Sequence, residues 1–470
     1  KMADVILAAR DSGLFTAVTD CGAGGLSSAV GEMAEKIGAV VDLEKVPLKY
    51  AGLRHDEIWI SEAQERMVLS VPSGHIERLL DLSRGEDVEA TVIGTFGQAD
   101  CELRLQFRGQ QVGRLSMEFL HHGIPMPTRK AIVPAPSSKK SMPASMPLSP
   151  GAIKEKLLAA LAHPNIASKH WIIRQYDHEV QGGSVVKPLV GPMQIGPSDA
   201  AVLRPKLGSR RGVVIGCGLS PQIEDPYDMA IASIDEAIRN VVAVGADPDR
   251  VAILDNFCWP SVDDERTMGT LVRACEACRD AAIAYRIPFI SGKDSLNNQF
   301  TNKETGQVLR IPRTLLISSI GVIEDVGKCV TMDLKSPGTR VVLIEPHDGA
   351  DLAGLGRLHR AVADLIRAGK ASACHDVSDG GVAVAAAEMC IASGLGLRLS
   401  ESLDSDAAFA EAPGRFLVEL ADGARTDELG RVAKIIDFAT VQRSPKLAFK
   451  SGLEVDVDEL TRAWRGTLDW

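Results

Sequence analysis

Apolar positions along the chain recur with two periods. In "MADVILAARDSG" (2–13), "YDMAIASIDEAIRNVVAVG" (227–245) and "DERTMGTLVRACEACRDAAIAYR" (264–286) they return every three or four residues, which predicts helices. Short apolar runs bounded by Gly, Pro or Asp predict strands: "LFTAVTD" (14–20), "RGVVIGCG" (211–218), "RVAILDNF" (250–257), "IPFISG" (287–292), "RTLLISSIGVI" (313–323), "GTRVVLIEP" (338–346) and "ASACHD" (371–376). Strands alternating with helices of this length predict an α/β fold built in layers. Between 124 and 152 Pro, Ser and Lys dominate and neither period survives, so a linker, extended and flexible in parts, is expected. The next segment, "GAIKEKLLAALAHPNIAS", starts helical with Leu157, Leu158 and Leu161 on one face and stops at Pro164.

The pattern also repeats. At an interval of 356 residues Gly13 matches Gly369, Asp20 matches Asp376, Gly24 and Gly25 match Gly380 and Gly381, Glu32 matches Glu388, Met33 matches Met389 and Gly38 matches Gly394, with Leu26 against Val382. Further on the interval falls to 349, and Glu62, Ala63 and Arg66 match Glu411, Ala412 and Arg415. So wide a spacing excludes a solenoid and predicts a duplicated domain with a different unit between the copies. The opening helix has no strand before it to found a domain, which predicts that the first copy is incomplete at its N-terminal side. The expected order is an incomplete copy at 1–123, a linker and short helix at 124–167, a separate α/β domain at 168–336 and the second copy at 337–470.

Composition narrows the function. With 45% hydrophobic and 24% charged residues the chain is globular, and a net charge of -10 argues against a nucleic-acid or anionic-membrane surface. No apolar window reaches the length of a membrane span and no signal-peptide succession opens the chain, so a cytoplasmic protein is expected. Nine scattered cysteines read as reduced thiols. Cys275 and Cys278 form a CxxC, but on a helical period and without a second pair, which favours packing over metal binding.

Asp20 and Asp376 each close an apolar strand and precede glycines that open a helix. Such a strand end places a carboxylate at the mouth of a sheet, where the helix N-terminus offers N–H groups to phosphate, and the two together suit magnesium and the phosphates that share it. The plainer reading, a helix cap on a tight turn, loses ground because the arrangement recurs. Glu236 and Asn240 share one helix face, with Asp235 turned away by about 100°. A carboxylate and an amide oxygen there suit a hard cation such as Mg²⁺. "SGKDS" delivers Gly292, Lys293, Asp294 and Ser295 at a strand end, a turn able to meet phosphate but without P-loop spacing. His178 in "RQYDHEVQGG" reads more simply as a satisfied or surface histidine.

In order, "DCGAGGLSSAVGEMA", "SEAQERM", "RQYDHEVQGG", "DEAIRNVVAVGA", "SGKDS" and "HDVSDGG" resemble phosphoribosylformylglycinamidine synthase, the ligase of the fourth step of purine synthesis, across essentially the whole chain outside the linker. The resemblance implies the paired A and B domains of the aminoimidazole ribonucleotide synthetase superfamily, here as partial B, linker, A, B. It also implies an activity in which ATP phosphorylates the amide oxygen of formylglycinamide ribonucleotide and ammonia displaces the phosphate. By the same resemblance Asp20 is a magnesium ligand, Glu62, Ala63, Gln64 and Ser295 touch substrate, and Asp255 and Gly292 reach ATP. Position 293 is Lys where the small form of the family has a metal-binding Asn; a protonated lysine does not ligate magnesium, and "GKDS" is instead similar to the large, single-chain form. An auxiliary site for Mg-ADP maps onto Asp199, Glu236, Asn240 and Asp376, with Ser198 and Ser378 near the nucleotide. In the second copy Pro413 stands at the Gln64 position, which fits a site that binds without turnover. The family's catalytic histidine belongs to a first A domain that this sequence does not contain, and ammonia is implied to come from a glutaminase subunit or domain.

Two alternatives remain. A selenophosphate synthetase or thiamine-phosphate kinase has a single A, B pair, against which the repeat counts. A non-catalytic nucleotide-holding scaffold retains the same binding residues.

Overall fold

Burial follows the predicted periods. In the computed structural model, which describes residues 1–135, 147–403 and 405–470, the chain forms two units, Lys1–Thr128 and Arg129–Trp470. Each has its own hydrophobic cluster, one around Leu26, Val30, Val41 and Ile58, the other running through Ile234, Val241, Leu358, Ala385 and Phe416.

The repeat is visible as backbone geometry. The recurring glycines are left-handed in both copies: φ is 63° and 69° at Gly13 and Gly369, 82° and 78° at Gly24 and Gly380, 59° and 67° at Gly25 and Gly381, and 65° and 73° at Gly38 and Gly394. A side chain at these angles is strained, so the matched glycines mark where the chain must turn. Strand register repeats as well. Ala17–Asp20 pairs antiparallel with Met67–Ser70, placing Asp20 opposite Met67, and Ala371–Asp376 pairs with Phe416–Leu420, placing Asp376 opposite Phe416. Arg66 donates to the Ser61 carbonyl at 2.6 Å and Arg415 to that of Ala410 at 3.0 Å, so both arginines close the same loop.

In the second unit a six-stranded sheet runs in the order Phe289–Ser295, Val251–Cys258, Thr314–Ile323, Gly212–Leu219, Ala201–Leu203, Ser184–Val186, with only the first pair parallel. Helices Pro226–Ala243 and Glu265–Tyr285 cover one face, each entered through a capping aspartate, Asp225 and Asp264. A Cβ at Gly218 would collide with the Ser233 carbonyl, so the helix lies directly on the strand Gly212–Leu219. The second copy builds a seven-stranded sheet from Ala371–Asp376 to Glu454–Asp456, against which helices Leu352–Arg367 and Gly381–Ser393 pack. The predicted division at 336 separates two sheets, yet one hydrophobic cluster passes through both.

The segment expected to be a flexible linker is partly docked. The Ile132 amide donates to the Glu265 carbonyl at 2.8 Å, Lys130 pairs with Glu265 at 3.1 Å, and helix Pro150–Leu161 buries Ile153, Leu157 and Leu161 in the second unit's core. Residues 136–146 of that expectation lie outside the described residues. Cys278 is buried, as core packing requires, and burial pushes its thiol up to about 12, whereas Cys275 next to it in the motif is exposed. All nine cysteines are free thiols. No helix among the described residues is long and apolar enough to cross a membrane.

The helix Pro226–Ala243 is tied to the second copy by a buried ionic cluster. Asp235, fully buried, accepts from Arg239 and from the Gly414 amide at 2.9 Å, and the His359 ring lies 3.0 Å away. Burial opposes its charge, but Arg239 and His359 outweigh it and hold the carboxyl at about 2. Removing one partner of such a cluster leaves the other charge uncompensated. Asp235→Ala is therefore expected to lower the stability of the second unit by about 3–5 kcal/mol, read as a shift of its urea-unfolding midpoint; a midpoint within experimental error of the parent would contradict the assignment.

Candidate functional site

Helix Pro226–Ala243 supplies the first half of the site. Glu236 and Asn240 project toward the strand it covers: Glu236 Oε2 accepts from the Leu219 amide at 2.8 Å, and Asn240 Nδ2 donates to the Cys217 carbonyl at 2.8 Å. The Asn240 nitrogen is thereby committed, which leaves its oxygen as an acceptor. Burial, and then the charge of Asp376, push Glu236 up to about 8.

The strand Ala371–Asp376 and the turn around Asp199 supply the other half. Asp199, His375 and Asp376 bring potential ligand atoms within 4.8 Å of one another. Asp199 Oδ1 accepts from the Asp376 amide at 2.9 Å and lies 2.7 Å from His375 Nδ1, while its Oδ2 is buried with no hydrogen-bond partner. Arg239 donates to Asp376 Oδ2 at 3.2 Å from the far side. Burial raises Asp376, Arg239 opposes it, Asp199 adds to it, and the result is about 6. The Asp199 turn is held in place through Gly196, where a Cβ would collide with Ala392 at the end of helix Gly381–Ser393.

A cavity of about 300 Å³ lies beside this cluster, lined among others by Ser198, Glu236, Ser378, Asp379, Glu388 and Lys169. Burial lowers the Lys169 pKa, against the pull of Glu388 and Asp379. Asp199, Glu236 and Asp376, the last two raised, lie near the Arg239 guanidinium and the His375 ring, and one Asp199 oxygen is bare. A carboxylate-rich cluster with an open oxygen fits a hard divalent cation.

The remaining predicted residues fall into two groups. Asp255 and Gly292 are register partners on the parallel strands Val251–Cys258 and Phe289–Ser295, and the Asp255 carboxylate lies against Gly292. Burial raises Asp255, Asp294 adds to this, and a backbone hydrogen bond from Lys293 opposes it. Lys293 Nζ donates to Ser295 Oγ at 2.6 Å, so the lysine lies along the exposed strand. In the first unit Asp20 ends its strand exposed, and Glu62, Ala63 and Gln64 lie on an exposed loop where Gln64 donates to Glu62 at 3.3 Å. His178 lines a separate cavity of about 220 Å³ with Arg174 and Lys187 and belongs to none of these groups. His375, Glu388 and Lys169 were missed as site residues. A signal existed for Glu388, which recurs as Glu32 in the repeat, whereas His375 has no counterpart there.

Comparison with known proteins identifies the family. The family described as AIR synthase related protein, C-terminal domain, matches residues 1–105 and again 341–435, and the family described as AIR synthase related protein, N-terminal domain, matches 197–308. The chain is 34% identical to the phosphoribosylformylglycinamidine synthase subunit PurL of Deinococcus radiodurans, covering 99% of this chain and 66% of that one. It is 32% identical to the subunit of the same name from Picrophilus torridus, covering 84% and 54%. It thus spans 54–66% of the length of the curated relatives it matches. Among solved structures, T. maritima PurL complexed with ATP superposes with a TM-score of 0.68 at 21% identity, covering 94% of this chain and 66% of that one, a likeness of fold. Two copies of one domain type around one of the other, with this relationship throughout, place the chain in the AIR synthase related family, among relatives of the phosphoribosylformylglycinamidine synthase subunit PurL.

Proposed function

We propose that this chain forms part of a phosphoribosylformylglycinamidine synthase, which converts formylglycinamide ribonucleotide, ATP and ammonia to the amidine, and that its second unit holds Mg-ADP as a fixed auxiliary ligand. The domain order is that read from the sequence: partial B at 1–123, linker at 124–167, A at 168–336 and B at 337–470. Support for the activity comes from the relatives' name and from T. maritima PurL structures described as complexed with ATP, ADP and FGAR. The observation that carries the auxiliary site is the bare, buried Asp199 Oδ2 near Asp376, each next in sequence or nearly so to a residue, Ser198 or Ser378, that lines the cavity.

Asp199, Glu236, Asn240 and Asp376 would hold the magnesium, which when bound supplies positive charge to polyphosphate oxygens. The protein's own part is electrostatic. Arg239 compensates Asp376 from behind, Lys169 contributes a partly desolvated cation to the cavity, and the hydroxyls of Ser198 and Ser378 face the nucleotide. In the first unit Asp20 takes the corresponding strand-end position for the catalytic cation, and Glu62, Ala63 and Gln64 bind substrate; in the second unit Asp255 and Gly292 bind ATP and Ser295 binds substrate. Pro413 in place of Gln64 removes the side-chain amide from the second copy, in keeping with binding without turnover. Ammonia is supplied by a glutaminase subunit or domain, and the catalytic histidine by an A domain outside this sequence. A site in the cytoplasm accords with the enzyme's soluble substrates.

Two outcomes test this reading. Calorimetry should detect Mg-ADP binding to the chain and its loss, by at least about 100-fold, in Asp199→Ala combined with Glu236→Ala; undiminished binding in the double variant would remove the auxiliary site. In the full-length protein supplied with ammonia, Asp20→Asn should reduce kcat/KM for amidine formation by at least about 100-fold, whereas an unaffected rate would show that Asp20 holds no catalytic cation.

A further inference from the structure

The second copy differs from the first beside its strand-end carboxylate. His375 stands where the first copy has Thr19, one residue before the matched Asp376 and Asp20. Its side chain is 7% exposed, and each ring nitrogen faces a carboxylate: Nδ1 lies 2.7 Å from Asp199 Oδ1 and Nε2 lies 3.1 Å from Glu388 Oε2. Both ring nitrogens are thus occupied by carboxylate contacts, which leaves neither facing the open Asp199 oxygen's side of the cluster as a free donor atom. His375 therefore sits inside the ligand cluster without being a ligand.

Glu388 is the one charged residue on helix Gly381–Ser393, whose other side chains are almost all buried. A helix that is apolar on every side has no solvent face on which to place a carboxylate. Glu388 instead reaches His375, with 14% of its side chain exposed, while its counterpart Glu32 is exposed. The chain of contacts ends at Asp199. Its Oδ1 is held twice, by the His375 ring and by the Asp376 amide, and its Oδ2 is buried and bare although the side chain is only 1% exposed. A buried acceptor without a partner is costly, and here the neighbouring groups fix which of the two oxygens is left open.

We propose that His375 and Glu388 are a positioning pair, a carboxylate–imidazole–carboxylate clamp that aims Asp199 Oδ2 at the divalent cation of the nucleotide site and exists only in the second copy. The inference rests on the Mg-ADP reading given above. Outer groups of this kind orient a metal ligand and restrict its motion, and their loss weakens metal binding without removing a ligand. Thr19 lacks a ring that could span two carboxylates, so the first copy's strand end carries no such restraint. The clamp thus suits a site that retains its metal and nucleotide, and its absence suits one that must release product.

The test measures ADP affinity of the full-length protein by calorimetry, with Mg²⁺ and with EDTA, in the parent, Asp199→Ala, Glu388→Gln and His375→Thr, the last introducing the first copy's residue. The clamp predicts that His375→Thr weakens Mg-ADP binding about 10–100-fold, that Glu388→Gln weakens it about threefold to tenfold, and that affinity in EDTA changes less than about twofold in both. A purely structural role would lower the two affinities together. If Asp199→Ala loses the magnesium-dependent gain while His375→Thr and Glu388→Gln keep it in full, the clamp is overturned and the nucleotide site stands. Should His375→Thr fail to fold, Glu388→Gln decides alone, and an unchanged magnesium-dependent gain there overturns the clamp. If the parent shows no magnesium-dependent ADP binding, the nucleotide reading fails and the clamp with it.

Discussion

The Arg239 guanidinium, buried between Asp235 and Asp376, is the contact on which the site depends. One end holds a carboxylate of its own helix, the other a carboxylate on the strand Ala371–Asp376, and Asp235 also accepts from the Gly414 amide in the next loop. A single side chain thus joins the six-stranded and seven-stranded sheets where the cavity opens. Buried ion pairs contribute little net stability against an apolar alternative, but they tolerate few arrangements. Here the tolerated arrangement brings Glu236 close enough to Asp376 for that carboxylate's charge to raise its pKa.

Two consecutive residues on one helix show how placement decides chemistry. Asp235 faces Arg239, His359 and Tyr285 and is held ionised, with its carboxyl lowered to about 2. Glu236, about 100° further round the helix, faces the cavity, where burial and Asp376 raise it to about 8. The first carboxylate has its compensating cation inside the protein. The second is opposed by Arg239 less than burial and Asp376 raise it, and it is the carboxylate proposed above to share a divalent cation.

Much of this was legible because it follows from local rules. Gly13, Gly24, Gly25 and Gly38 recur where the backbone turns left-handed, and a helical wheel alone separates Asp235 from Glu236 and Asn240. Other parts depend on contacts far apart in sequence. Arg239 and Asp235 read as an ordinary pair four residues apart, and nothing local shows that the arginine also reaches Asp376, 137 residues away. Asp199 lies between strands of two and three residues, Gly196–Pro197 and Ala201–Leu203, too short to leave a periodic pattern. The stretch around Lys130 and Ile132 has linker composition and is nevertheless held by Glu265, because its backbone groups found partners on the neighbouring helix.

The two copies show what duplication preserved and what it released. Strand register, the turn glycines and the loop-closing arginine are the same in both, so the backbone frame is shared. Residues at the strand end and in the loop that the arginine closes differ: Thr19 against His375, Gln64 against Pro413, Glu65 against Gly414. The last pair is informative, since both residues have positive φ, 58° for Glu65 and 74° for Gly414. Glutamate accepts strain there that glycine avoids. In the second copy the same turn presents an amide to buried Asp235, at a loop position where the first copy keeps an exposed carboxylate. A frame fixed by glycines and register leaves such positions free to change, so one copy can acquire a locked interior while the other keeps its loop open to solvent.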